Sequence, residues 1–203
     1  GSGKTRVLTY KIAWLISRGM SPDEILALTF TNKAAEELKN RLTAMLGEDA
    51  DGIWAMTFHS ACARILRTNA EAAGLDRAFT IYDQDDSVAV MKRVCKELEI
   101  DDKVLPAKSI LNMISKAKDA LQSPEDFSTE AENGFDMRKK QAARAYHEYE
   151  RRLRAAGAVD FDDLIYLTVR LFRECDEVRE YYNRYFRYIL VDEYQDTDNL
   201  QYL

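Results

Sequence analysis

Cysteine and histidine are scarce in this sequence, and their scarcity limits its chemistry. Among 203 residues there are three cysteines, Cys62, Cys95 and Cys175, and two histidines, His59 and His147. An odd number of widely spaced cysteines offers no disulfide framework, and no Cys or His pair stands at metal-ligand spacing, so no zinc site is read. No apolar run approaches the ~20 residues that span a bilayer, and the N-terminus lacks the basic-then-apolar layout of a signal peptide. The cytosol is therefore the expected compartment, with no membrane partner. Prolines number only three, and no proline-rich linker, internal repeat or low-complexity tract separates one part of the chain from another. Basic excess is missing as well: a formal net charge of −6 argues against indiscriminate binding to a polyanion.

What is present suffices for one large or two small domains, with 46% apolar residues to fill a core. Charge is unevenly placed. Basic residues concentrate between Lys103 and Lys118 and from Arg138 through Arg154, whereas acids gather in Asp83 to Asp86 and around Asp192. The Arg138 to Arg154 run is interleaved with Glu148 and Glu150. It reads either as a solvated helix face or as a salt-dependent contact to a nucleic-acid backbone.

The stretch Gly1-Ser2-Gly3-Lys4-Thr5 has the residue types of the end of a phosphate-binding loop. Glycines let consecutive N–H groups turn around a phosphate, the lysine adds a mobile positive charge, and the threonine hydroxyl can ligate Mg²⁺. The full pattern asks for an earlier Gly or Ala and a preceding strand, and this sequence has neither; a flexible Gly/Ser tail is the competing reading. Val7, Leu8, Ile12, Leu15 and Ile16 then recur at helical spacing as far as Gly19. A helix opening at Lys4 would aim its positive end at the phosphates.

Ile25 to Phe30 is an apolar run without charge, a buried strand, and it passes through Thr31-Asn32 into a helical pattern from Lys33 to Leu46. Ala35, Leu38, Leu42, Met45 and Leu46 form the apolar face of that helix. The unit repeats as a strand over Ile53 to Thr57, a turn at Phe58-His59-Ser60 and a helix from Ala61 to Ala73. Repeated βα units build a parallel sheet flanked by helices, with ligands at the carboxyl ends of the strands.

From Phe79 to Gly157 helical periodicity takes over. Asp83 caps a helix with Val88, Met91, Val94 and Cys95 inward; a second stripe follows Pro106; Ser123-Pro124-Glu125-Asp126 reads as a loop; a long helix runs from about Asp136 to Ala156. Asp160 caps a further helix, and Asp160, Asp162 and Asp163 read as dipole partners of its first turn ahead of a metal cluster. The apolar strand Tyr188 to Val191 ends in Asp192-Glu193. There the first acid can hold Mg²⁺ and the second can orient or deprotonate a water.

Gly1 to Thr5, the run Thr29-Phe30-Thr31-Asn32-Lys33-Ala34-Ala35-Glu36-Glu37-Leu38, Thr57-Phe58-His59-Ser60, and Val191-Asp192-Glu193-Tyr194-Gln195-Asp196-Thr197 stand in the order found in the UvrD/Rep/PcrA helicases of superfamily 1. The chain resembles that family over almost its whole length. The resemblance implies an α/β fold, a RecA-like P-loop NTPase sheet over residues 1–76 and 158–203 with an all-helical subdomain inserted at 77–157, truncated at both ends. It implies an ATP-dependent DNA helicase moving 3′ to 5′ on single-stranded DNA at duplex junctions, with ATP and Mg²⁺ as cofactors.

Position by position, the resemblance assigns Gly1, Ser2, Gly3, Lys4 and Thr5 to the nucleotide, with Lys4 on the β/γ-phosphates. Thr5 and Asp192 go to Mg²⁺, Glu193 to activation of water, and Gln195 to sensing of the γ-phosphate. Phe30, Asn32 and His59 become contacts of a single-stranded DNA track. Alternatives stand beside these roles: Phe30 as a core aromatic finishing its strand, His59 as a packing histidine. A P-loop kinase and a non-catalytic interaction module are the competing classes. A kinase has no use for Thr29 to Leu38, and a degenerate module has no need of Lys4, Thr5, Asp192 and Glu193. Because the family's second motor domain supplies arginines not found in this sequence, the resemblance also implies little ATP hydrolysis by this stretch alone.

Overall fold

The computed structural model describes residues 3–192, and of Lys4 only the backbone. Gly1, Ser2, Glu193 and Gln195, four of the sequence-predicted site residues, lie outside the described residues. In chain order the elements are α1 (Lys4–Ser17), β1 (Ile25–Thr29), α2 (Asn32–Leu46), β2 (Trp54–Thr57), α3 (Phe58–Thr68), β3 (Thr80–Ile81), α4 (Gln84–Glu97), α5 (Ala107–Asp119), α6 (Pro124–Asn133), α7 (Met137–Ala155), β4 (Ala158–Val159), α8 (Phe161–Glu174), α9 (Asp176–Tyr185) and β5 (Tyr188–Val191). They pack as two units, one made of residues up to Ile65 together with those from Leu171 onward, the other of Leu66–Arg170. Among the described residues no helix is long and apolar enough to cross a membrane.

In the first unit β1 is central and runs parallel to both neighbours, β2 and β5. Its register pairs Leu26 with Trp54 and Thr29 with Thr57 on one side, Ile25 with Tyr188 and Leu28 with Val191 on the other. All five β1 residues are buried, as expected of a strand covered on both faces in a parallel sheet. Ile25 and Ala27 meet Leu8, Ile12 and Leu15 of α1 and Leu38 and Leu42 of α2 in one apolar cluster. Each fully buried Leu or Ile contributes about 1.5–3 kcal/mol of transfer free energy. Two expected members of these helix faces are not in it: Val7 and Met45 are exposed, because the inward stripes follow residues 8, 12, 15 and 35, 38, 42. β5 hydrogen-bonds to β1 directly, so β2, β1 and β5 make one continuous sheet.

The second unit is almost wholly helical. Met91, Val94 and Cys95 of α4, Ile110 and Ile114 of α5, Phe127 of α6 and Ala142, Tyr146, Tyr149 and Leu153 of α7 form its core. The expected loop at Ser123-Pro124-Glu125-Asp126 is instead the start of α6. The Ser123 hydroxyl accepts the Asp126 N–H at 3.1 Å, the Asp126 carboxylate accepts the Ser123 N–H at 3.0 Å, and Pro124 occupies the first turn, where its missing N–H costs nothing. β3 and β4, too short to leave a pattern in the sequence, pair in parallel through Thr80 N–H to Gly157 O and Tyr82 N–H to Val159 O. On α7 the basic run is partly spent within the helix: Glu148 takes Arg151 and Arg152, whose hydrogen bonds hold its carboxyl down at about 2, and Glu150 takes Arg154.

Candidate functional site

Three parallel strands carry their carboxyl ends, Thr29, Thr57 and Val191, to one end of the sheet, and the sequence-predicted residues gather there. Asp192 follows β5 immediately. Its N–H donates to Leu28 O at 2.9 Å, extending the ladder by one residue and fixing where the carboxylate emerges. That carboxylate is buried, and its Oδ2 accepts a hydrogen bond from Thr5 Oγ1 at 2.8 Å, across 187 residues of sequence. Thr5 and Asp192, the two residues assigned to a cation from sequence, are thus brought together.

Gly3 and Lys4 stand at the N-terminus of α1, which opens with Val7 N–H donating to Gly3 O at 3.0 Å. As the N-cap, Gly3 has no side chain with which to cap the first-turn N–H groups. A Cβ at Gly3 would meet nothing within 4 Å among the described residues, so the glycine leaves open space in front of these donors. First-turn N–H groups without a side-chain cap among the described residues, at the positive end of a 14-residue helix, suit an anion. A hydroxyl and a carboxylate are hard oxygen donors of the kind Mg²⁺ takes, so Thr5 and Asp192 fit such an ion chemically. The Lys4 side chain, Glu193 and Gln195 lie outside what the structure describes.

Phe30, Asn32 and His59 follow the strand ends at the same end of the sheet. Phe30 is half-buried, with its ring centroid 5.4 Å from that of Phe58. Asn32 is exposed at the start of α2, beside Thr31, whose hydroxyl caps the helix by accepting the Ala34 N–H at 3.1 Å. His59 is half-buried in the first turn of α3. The expected turn at Phe58-His59-Ser60 is therefore already helical. The Thr57 hydroxyl accepts the Ser60 N–H at 3.2 Å and donates to the Ser60 hydroxyl at 2.9 Å, which starts the helix without a connecting loop.

Phe58 was missed as a site residue, although a signal was present: both strands end in Thr-Phe, and Thr29 pairs with Thr57, so the two phenylalanines must follow side by side. Phe58 is buried and gives Phe30 a wall on one side.

Comparison with known proteins identifies the family. A family model described as the UvrD/REP helicase N-terminal domain matches residues 1–203. The ATP-dependent DNA helicase PcrA of Bacillus subtilis is 47% identical over 204 residues. PcrA of Staphylococcus epidermidis is 48% identical over 203 residues, and PcrA of Staphylococcus aureus is 47% identical over 203. Each match covers 100% of this chain and 27% of the relative, so the chain spans about a quarter of the length of the curated relatives it matches.

Proposed function

Because the chain belongs to the UvrD/REP helicase N-terminal domain family, we propose that it is the nucleotide-binding and DNA-gripping part of an ATP-dependent DNA helicase. The observation that carries the reading is the 2.8 Å hydrogen bond from Thr5 Oγ1 to Asp192 Oδ2, which joins the phosphate-loop motif to the acidic motif in one site. In this reading Gly1, Ser2, Gly3 and the first-turn amides of α1 cradle the phosphates, and Lys4 places its charge on the group to be transferred. Thr5 and Asp192 would hold Mg²⁺, which when bound neutralises charge on the phosphate oxygens. Glu193 takes the proton of the attacking water and Gln195 reads the presence of the γ-phosphate. Phe30, backed by Phe58, stacks a base, while Asn32 and His59 hold the strand.

The substrate is single-stranded DNA adjoining a duplex, traversed 3′ to 5′, and the compartment is the cytosol. Stacking on an aromatic face suits a motor because it tolerates any base. A phosphotransferase acting on a small acceptor would leave the residues at the ends of β1 and β2 without a task.

The test uses the protein that contains this chain. Lys4→Ala is expected to abolish ATP turnover while the thermal transition stays in place. Glu193→Gln is expected to keep nucleotide and DNA binding and lose hydrolysis, because the amide retains the shape and cannot accept the water's proton. Turnover surviving in Lys4→Ala would remove the phosphate-loop assignment, and loss of ATP binding in Glu193→Gln would give Glu193 a structural role.

A further inference from the structure

The helical unit buries an ammonium group completely. Lys118 on α5 has no exposed surface, and its Nζ lies 2.9 Å from Glu150 Oε1 on α7, 2.9 Å from Asp160 Oδ2 and 2.8 Å from Asp163 Oδ1 at the start of α8. Three carboxylates share this one ammonium, and with Arg154 3.5 Å from the other oxygen of Glu150 one formal negative charge is left without a counter-ion in a largely buried region. The Asp160 side is well satisfied: Oδ2 accepts from Lys118 Nζ and from the Tyr149 hydroxyl at 3.1 Å, and Oδ1 accepts the Asp163 N–H at 2.8 Å. On the other side, Glu150 Oε1 and Asp163 Oδ1 are buried, close to the ammonium and without a hydrogen bond. One carboxylate oxygen from each of Glu150, Asp160 and Asp163 lies within 4.8 Å of the other two.

Two buried carboxylate oxygens that share one ammonium without an aligned hydrogen bond are costly, and one proton placed there would turn one carboxyl into a donor and remove the excess negative charge. We infer that this cage is a proton-linked clamp, in which one proton carried by Asp163 and directed at Glu150 tightens the packing of α5, α7 and the first turn of α8 on acidification. The groups facing that proton are Lys118 from α5, Glu150, Tyr149 and Tyr146 from α7 with Arg154 on the far oxygen of Glu150, and Asp160 and Tyr166 beside α8; α4 reaches the cage through Ser87 and Tyr149. Desolvation, then the nearby Asp160 and Glu150 carboxylates, push the Asp163 carboxyl up to about 7 against the pull of Lys118. The folded form thus binds a proton that the unfolded chain releases at an ordinary aspartate pKa. Stability therefore rises as pH falls from 8 towards 4, opposite to an aspartate whose folded-state pKa is depressed.

The experiment is urea unfolding of this 203-residue chain, followed by helical circular dichroism at pH 8 and pH 6, with the Asp163 carboxyl carbon observed by NMR over the same range. For a folded-state pKa of about 7 the folding equilibrium constant is expected to be about tenfold larger at pH 6 than at pH 8. Asp163→Asn keeps both histidines and should lose that tenfold difference; Glu150→Gln, which removes one of the repelling charges, should shrink it. An unchanged pH dependence in both variants overturns the clamp. Should neither variant fold, the wild-type carboxyl decides: a midpoint above pH 6 is expected, and one below pH 6 rejects the inference.

Discussion

Lys118 closes a basic stretch that reads as surface, yet it is the largest fully buried charged side chain among the described residues. Burial works against its ammonium, but the carboxylates of Asp163, Asp160 and Glu150 outweigh that effect and hold its pKa well above the usual lysine value. With the folded-state pKa raised, its stabilisation is fully present across the neutral range and is lost only as strongly alkaline pH passes that value. Lys118→Met keeps the stem and deletes the charge, leaving three carboxylates to repel one another in a dry site. The expected cost is about 3–5 kcal/mol in urea unfolding at pH 7.5, and a cost below about 1 kcal/mol would mean that water reaches the cage. Nothing local in the sequence marks this lysine, because its partner Asp160 is 42 residues away. Asp160 and Asp163 were legible as helix-start acids; that they also face a buried cation was not. At the carboxyl end of the main sheet the reverse holds, since Thr5 and Asp192 belong to motifs whose residue types already suggested the proposed chemistry.

At the level of elements, periodicity located most helices and the three strands of the main sheet. Its errors came from caps and from length. Ser123-Pro124-Glu125-Asp126, read as a loop, is a capping box that starts α6, and β3 and β4 are two residues each. The end of α4 was hidden for another reason. Glu99 takes a left-handed φ of 56°, and Ile100 N–H donates to Cys95 O at 2.9 Å, a helix stop usually built on glycine. Glu99 is exposed, so replacing it forfeits little packing. Glu99→Gly relieves a left-handed conformation that costs an L-residue roughly 1–2 kcal/mol, partly offset by the greater freedom of glycine in the unfolded chain. A net gain of about 0.5–1 kcal/mol is expected, read as a higher urea midpoint with an unchanged slope. A lower midpoint would show that the Glu99 side chain contributes more than its backbone loses.

On the scale of the whole molecule, parallel pairing on both sides of β1 decides what can meet what. It brings Thr5 and Asp192 together, and it also puts the Thr-Phe ends of β1 and β2 side by side at the same end of the sheet. In the proposed reading a strand gripped at those ends would lie against the sheet end proposed to hold the nucleotide, the arrangement a motor needs to couple the two. Phe30 is the residue on which this account is most exposed to test. One side of its ring is packed against buried Phe58 and the residue keeps part of its surface accessible, a geometry that serves either a stacking platform or the rim of the core. Phe30→Ala in the protein that contains this chain is expected to weaken single-stranded DNA binding by about fivefold or more, since base stacking on an aromatic is worth roughly 1–3 kcal/mol. The loss should be similar for oligonucleotides of different sequence, because every base has a face to stack. It should also differ from that of a charge-removing variant such as Arg144→Ala on α7, whose effect, if the basic run touches the backbone, appears as a shallower salt dependence. Fluorescence anisotropy with two labelled oligonucleotides across a salt series, beside thermal melts of the same samples, reads all of these quantities. Unchanged DNA affinity together with a lowered melting temperature would make Phe30 a core residue and leave Asn32 and His59 to carry the track alone.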